Sequence, residues 1–249
     1  MALPLEDLRV LDLSRLLPGP FCSLLLADCG ADVIKVEDTG MGDYARWSPP
    51  FHEGVEKSAS GALFLALNRN KRSIRVNLKS DEGRELLLKL AQDADIVLES
   101  FRPGVLDRLG VGYEALKAVN PGIVYCAISG YGQDGPYAQR AGHDLNYLAT
   151  AGLLGLTGDV GGPPVQSAAQ IADIGAGSLM AAFAILAAIR ERDRSGEGQS
   201  IDISMTDGSL AWMVMPSAVA LAGGKPPRRG EGELAGGLVC YRPYECKDG

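Results

Sequence analysis

Residues 8–37 read Leu8-Arg9-Val10-Leu11-Asp12-Leu13, then Ser14-Arg15-Leu16-Leu17-Pro18-Gly19-Pro20, then an apolar run Phe21–Ala27. They continue through Asp28-Cys29-Gly30-Ala31 into Asp32-Val33-Ile34-Lys35-Val36-Glu37. The apolar alternation over 8–13 predicts a strand. Ser14–Pro20 is a turn whose prolines open a helix, and Gly30 is placed to end it. The second alternating run, 32–37, predicts another strand. Strand, helix and strand at this spacing form a βαβ unit, which requires a parallel pair. The unit resembles the start of a dinucleotide fold, even to an acid at its end. It lacks the tight Gly-x-Gly-x-x-Gly turn, and prolines sit where a pyrophosphate would approach. A βαβ unit without NAD or FAD is therefore expected.

The same alternation runs on. Gly61–Leu67 reads as a short buried helix and Ser73–Leu78 as a strand. Ser80 caps a helix to about Gln92, with Asp81 and Glu82 in its first turn. Ile96–Glu99 is a strand, Tyr113–Val119 a helix and Ile123–Ile128 a strand. Ile174–Ile189 is a long Ala- and Gly-rich helix, Ser200–Ser204 a strand and Asp207–Leu221 a helix. The expected class is α/β, an open Rossmann-like parallel sheet with helices on both faces. Residues 1–222 form the large domain. The Gly- and Pro-rich stretch 223–233 is a linker, and Val239–Gly249 reads as the start of a further strand and turn. On this pattern the chain is expected to stop inside a second, smaller domain, 223–249, that is incomplete.

Composition narrows the function. The 249 residues are 46% hydrophobic and 22% charged, with a net charge of −7. That balance argues against broad binding to nucleic acid or anionic membranes. No signal peptide opens the chain, and the most apolar run, Ser178–Ile189, is too short to span a bilayer. The five cysteines are scattered with no Cys-x-x-Cys pair, so reduced thiols in a cytoplasmic protein are expected, with no metal site.

Chemistry concentrates between Gly142 and Ser178. Here lie Gly142-His143-Asp144-Leu145-Asn146-Tyr147, then a Gly- and Pro-rich turn, then Gln170-Ile171-Ala172-Asp173 leading into the apolar helix. His143 is one of two histidines, and the other, His52, sits in a polar loop and is given no role. An imidazole near neutrality and a carboxylate removed from water make a proton shuttle. Taken alone, His143 in a turn and Asp173 as a helix cap are the commoner roles.

The whole chain resembles the family III CoA-transferases, the CaiB/BaiF group that includes α-methylacyl-CoA racemase. The stretches that carry the resemblance are 8–13, 27–37, Asn68–Ser73, Phe101-Arg102-Pro103-Gly104, 142–147, Ala172-Asp173 and Tyr244–Gly249, in that order. The resemblance implies an acyl-CoA thioester as substrate, no cofactor beyond its CoA moiety, and a homodimer, interlocked when the chain is full length. In the transferases the aspartate matching Asp173 attacks a thioester and carries CoA as an aspartyl thioester. In the racemases that aspartate and the histidine matching His143 exchange the α-proton through an enolate. Transferases usually carry an aromatic residue at position 143, so the resemblance favours a 2-methylacyl-CoA racemase. Transferase activity and an inactive CoA-binding remnant are the alternatives. It also implies CoA contacts for Asn68, Arg69, Lys71, Arg72, Arg102, Gly142, Asp144, Asn146 and Tyr147. Racemases often place an arginine where this chain has Asp38. Arg46 or Lys71 then substitutes for it, or CoA binds less tightly.

Overall fold

The computed structural model describes residues 2–225 and 227–248. Pro226 of the linker and Gly249 of the last motif lie outside the described residues. Six parallel strands form one sheet: β1 (Arg9–Asp12), β2 (Asp32–Glu37), β3 (Lys71–Arg75), β4 (Ile96–Glu99), β5 (Val124–Ser129) and β6 (Ser200–Ser204), in the order β3-β2-β1-β4-β5-β6. The central strands are buried along almost their whole length, as parallel sheets covered on both faces must be. One face is covered by α1 (Pro18–Asp28) and α8 (Met180–Ser195), joined through Cys22, Leu26, Val33, Ile185 and Ile189. The other face is covered by α3 (Asp81–Ala91) and α5 (Tyr113–Val119), joined through Leu87, Ala91, Val97, Leu116 and Tyr125. Strand order reverses between β1 and β4, so the crevice where such sheets bind ligands opens beyond the ends of those two strands.

Several expectations are corrected. The third strand begins two residues earlier than expected, inside the basic run, because pairing with β2 sets Val33 opposite Lys71 and Glu37 opposite Arg75. It is an edge strand, and the exposed Arg72 and Arg75 occupy it as charged residues that discourage further pairing. The long helix starts earlier too. Ile171–Leu179 is a π-helix that runs into α8, giving a 25-residue helical segment. By length and apolar content that segment is sufficient to cross a bilayer, contrary to the sequence reading. In this fold it packs on α1, β5 and β6 as a core helix.

The segment 207–221 is two helices, α9 (Met205–Trp212) and α10 (Val214–Leu221), because Pro216 lacks an N–H and crowds the carbonyl of Trp212. The stretch after Tyr147, read as a turn, holds the rest of α6 (Asp144–Ala151) and all of α7 (Leu153–Leu156). The strand expected from Val239 is absent among the described residues. Residues 239–248 are turns, bends and irregular chain, with no strand pairing to them.

Candidate active site

Asp173 sits in the first turn of the π-helix. Wide π turns are rare and recur at functional sites. Here Gly175 and Gly177 make the packing possible. A Cβ at Gly175 would lie 2.7 Å from the Trp212 ring, and one at Gly177 would lie 3.1 Å from Met205 and 3.3 Å from Pro18. A side chain at Gly175 would have to displace the Trp212 ring.

The start of the π-helix is held by Asp144. Its Oδ1 accepts from the N–H of Ala172 at 2.7 Å and of Asp173 at 3.0 Å. Asp144 is only 7% exposed. Its carboxylate therefore caps the helix that carries Asp173, which makes a CoA contact through it a poor fit. Asp144→Ala is expected to cost about 1–2 kcal/mol of stability and to lower turnover by misplacing Asp173. Thermal melts read beside kcat check this, and an unchanged kcat would contradict it.

His143 is the residue before α6. Its N–H donates to Asn146 Oδ1 at 2.9 Å, and its carbonyl accepts from the N–H of Asn146 at 2.8 Å. Asn146 thus fixes the turn, and the His143 side chain stays exposed. Tyr147 is buried, with its hydroxyl donating to the carbonyl of Gly142 at 2.5 Å. Its ring meets Tyr131 edge-on at 5.2 Å. A Cβ at Gly142 would lie 2.7 Å from that ring, so glycine is required there.

These groups share one electrostatic neighbourhood. Burial pushes the Asp173 carboxyl up, the nearby Asp144 charge adds to the rise and His143 opposes it, leaving it at about 6. Burial, then the charges of Asp173, Tyr131 and Asp144, push the Tyr147 phenol up to about 12. The structure therefore brings together an exposed imidazole, a half-buried carboxyl that titrates near neutrality, and a neutral phenol.

The basic residues are placed differently. Lys71 is not available at the surface. Its side chain is 1% exposed and donates to Asp12, Pro20 O, Ser23 and Asn68. Burial lowers its ammonium to about 8, although Asp12 opposes that. Asn68 is spent on Lys71 and on the carbonyl of Phe64. Arg69 pairs with Asp28, and Arg72 pairs with Asp32 through both carboxylate oxygens at 2.6 and 2.7 Å. Arg102 is exposed on the loop after β4. Arg46 forks onto Glu37 at 2.6 and 2.7 Å and lies over Phe64 at 3.8 Å. Neither Arg46 nor Lys71 therefore stands in for the missing arginine at Asp38. The guanidinium that reaches Asp38 is that of Arg15, at 2.8 Å, which the sequence reading left in a turn.

The family model described as "CoA-transferase family III" matches residues 5–249. The chain belongs to this family. It is 41% identical over 247 residues to a mouse succinyl-CoA:glutarate CoA-transferase, covering 99% of this chain and 55% of the relative. It is 46% identical over 221 residues to a Fusarium pseudograminearum acyl-CoA transferase, covering 84% and 48%. A mouse α-methylacyl-CoA racemase is 39% identical over 250 residues, covering 98% and 59%. A crystal structure of a CaiB/BaiF family protein from Brucella suis superimposes with a TM-score of 0.86 at 43% identity, covering 92% of this chain and 60% of the other. The chain thus spans 48–59% of the length of these three curated relatives.

Proposed function

We propose that this family III protein acts on acyl-CoA thioesters and exchanges the α-proton of a 2-methylacyl-CoA through His143 and Asp173. The observation that carries the reading is an exposed imidazole whose charge is felt by a carboxyl raised to about 6 by burial and by Asp144. An α-thioester proton is a weak acid, so its removal needs a positioned base with affinity for the proton and little water around it. A carboxylate near 6 is a better base than an exposed one and is still largely ionised at neutral pH. One group takes the proton and leaves an enolate, and the other returns a proton to the opposite face, so no net oxidation or transfer occurs. The curated relatives are longer than this chain, and residues 223–248 serve in this reading as the entry to a smaller domain.

Transfer of CoA between carboxylic acids is the second reading, supported by the names of several relatives and by the same carboxyl. As nucleophile, Asp173 would form an anhydride with the acyl group as CoA thiolate leaves. The thiolate would then attack the Asp173 carbonyl, releasing the carboxylic acid and leaving an aspartyl thioester.

One incubation separates them. With a 2-methylacyl-CoA in deuterated water and no acceptor acid, one deuterium is expected at the α-carbon, with loss of optical purity. His143→Ala is expected to slow this by about 10²–10⁴-fold. No deuterium uptake, together with CoA transfer from succinyl-CoA to glutarate that survives His143→Ala and stops in Asp173→Ala, would replace the first reading by the second.

A further inference from the structure

We infer, resting on the acyl-CoA reading, that Arg15 is an oxyanion receptor at the crevice between β1 and β4, latched by Asp38 until the ligand arrives. The backbone on both sides of Arg15 is fixed. Lys35 Nζ donates to the carbonyl of Ser14 at 2.9 Å, and Asp43 accepts from the N–H of Leu16 at 3.1 Å. Lys35 and Asp43 themselves pair at 3.0 Å, with side chains 1% and 0% exposed. The N–H of Arg15 donates across the crevice to Ser100 Oγ at 3.1 Å, on the loop after β4. Leu16 is held at φ 62°, a left-handed conformation that non-glycine residues seldom adopt. Strain of this kind persists where surroundings enforce it and gathers at binding sites.

The side chain is pre-set as well. The guanidinium lies 5.6 Å from the Tyr44 ring centroid and 5.7 Å from that of Phe101. These aromatic neighbours position it, and Nη1 reaches the Tyr44 hydroxyl only at a long 3.5 Å. Unlike Arg46 and Arg72, which fork onto both oxygens of their acids, Arg15 pairs with Asp38 through Oδ2. Asp38 Oδ1 is turned to the N–H groups of Gly40 and Gly42 at 2.8 and 3.3 Å. The pair is partly exposed, 28% and 39%, and such pairs hold weakly. A phosphate or carboxylate offering two oxygens would displace Asp38, since forked contacts to guanidinium are the stronger ones. Two parts of an acyl-CoA offer that chemistry: the phosphates of CoA, and the free carboxylate of a dicarboxylic acyl group.

Calorimetric titration of the protein, Arg15→Met and Asp38→Asn with CoA, 3′-dephospho-CoA, succinyl-CoA and inorganic pyrophosphate tests this. Arg15→Met is expected to weaken binding of the oxyanion it reads by roughly tenfold. Asp38→Asn keeps the Oδ1 turn bonds, removes the competing charge and is expected to tighten it severalfold. A loss confined to CoA and absent with dephospho-CoA assigns the 3′-phosphate. Loss with both, and with pyrophosphate, assigns the diphosphate, and loss with succinyl-CoA alone assigns the acyl carboxylate. If the wild type binds these ligands and both variants bind all of them within twofold of it, the receptor is overturned while the acyl-CoA reading stands. If the wild type binds no thioester, that reading fails, and the pyrophosphate arm still decides whether Arg15 receives oxyanions. If Arg15→Met fails to fold, Asp38→Asn decides alone, with unchanged affinities the refuting result.

Discussion

Asp173→Asn is expected to abolish turnover of a CoA thioester, by roughly 10³-fold or more, while raising the melting temperature near pH 7. Both effects come from one placement. The carboxyl is half-buried beside Asp144, and its folded value of about 6 lies above the ordinary 3.8. A raised value means the folded protein prefers the protonated form. The stability this group contributes is complete below the unfolded value, near 4, and is lost as pH rises through 6. At neutral pH the protein therefore carries a charge that its surroundings disfavour, and the neutral amide removes it. After allowance for partial exposure the gain is about 1–2 kcal/mol. The same titration sets the acid limb of the pH–rate profile. kcat/KM should rise with pH through about 6 in the wild type. His143 opposes the rise of the Asp173 carboxyl, so the limb should move to higher pH in His143→Ala, read on whatever activity remains. Melts at pH 5 and pH 8 supply the decisive comparison. An Asp173→Asn protein that is no more stable at pH 8 than the wild type would mean that the carboxyl is not strained in the fold.

The sequence displays these features unevenly, for physical reasons. β2, β4 and β6 lie at the residues that their apolar patterns mark, because their side chains answer to neighbours on the same sheet. β3 slides because its residues Lys71–Arg75 are mostly polar and none is fully buried, so its register follows β2 rather than an apolar pattern of its own. The π-helix leaves no periodic signal. Its glycines read as part of an Ala- and Gly-rich helix, and the neighbours that require them, Trp212, Met205 and Pro18, come from distant segments. His143 and Asp173 are legible as chemistry, and the fold sets them in one neighbourhood through Asp144, whose neighbour His143 looks like an ordinary turn residue. Lys71 misleads because it stands in a polar, basic run. The acid that buries it, Asp12, lies 59 residues away. Arg15 is missed for the converse reason, since its partners come from two separate connections, those after β2 and after β4.

The other large effect is on the fold rather than the chemistry. Lys35→Met is expected to cost about 3–5 kcal/mol, a large part of the 5–15 kcal/mol that typically separates folded from unfolded chains. Lys35 and Asp43 have essentially no contact with water, so their 3.0 Å pairing is a main compensation each charge has for leaving it. Removing the lysine strands the carboxylate, which keeps only N–H groups, those of Leu16 and Ala45. It also frees the carbonyl of Ser14 and takes an ammonium away from Asp12. Burial alone would raise the Asp12 carboxyl, and Lys35 and Lys71 hold it down at about 2. A depressed acid contributes stability above its unfolded value and loses it as pH falls, so wild-type acid unfolding should draw on Asp12 between about pH 4 and pH 2. In Lys35→Met that transition should begin at higher pH, since one of the two cations holding Asp12 ionised is gone. The double variant Lys35→Met with Asp43→Asn removes both charges and keeps an oxygen that can accept from Leu16. Its loss in urea unfolding should be clearly smaller than the sum of the two single losses, because neither charge is left alone in the core. Strict additivity would mean that the pair does not couple, and that the turn presenting Arg15 is held by something other than these two charges.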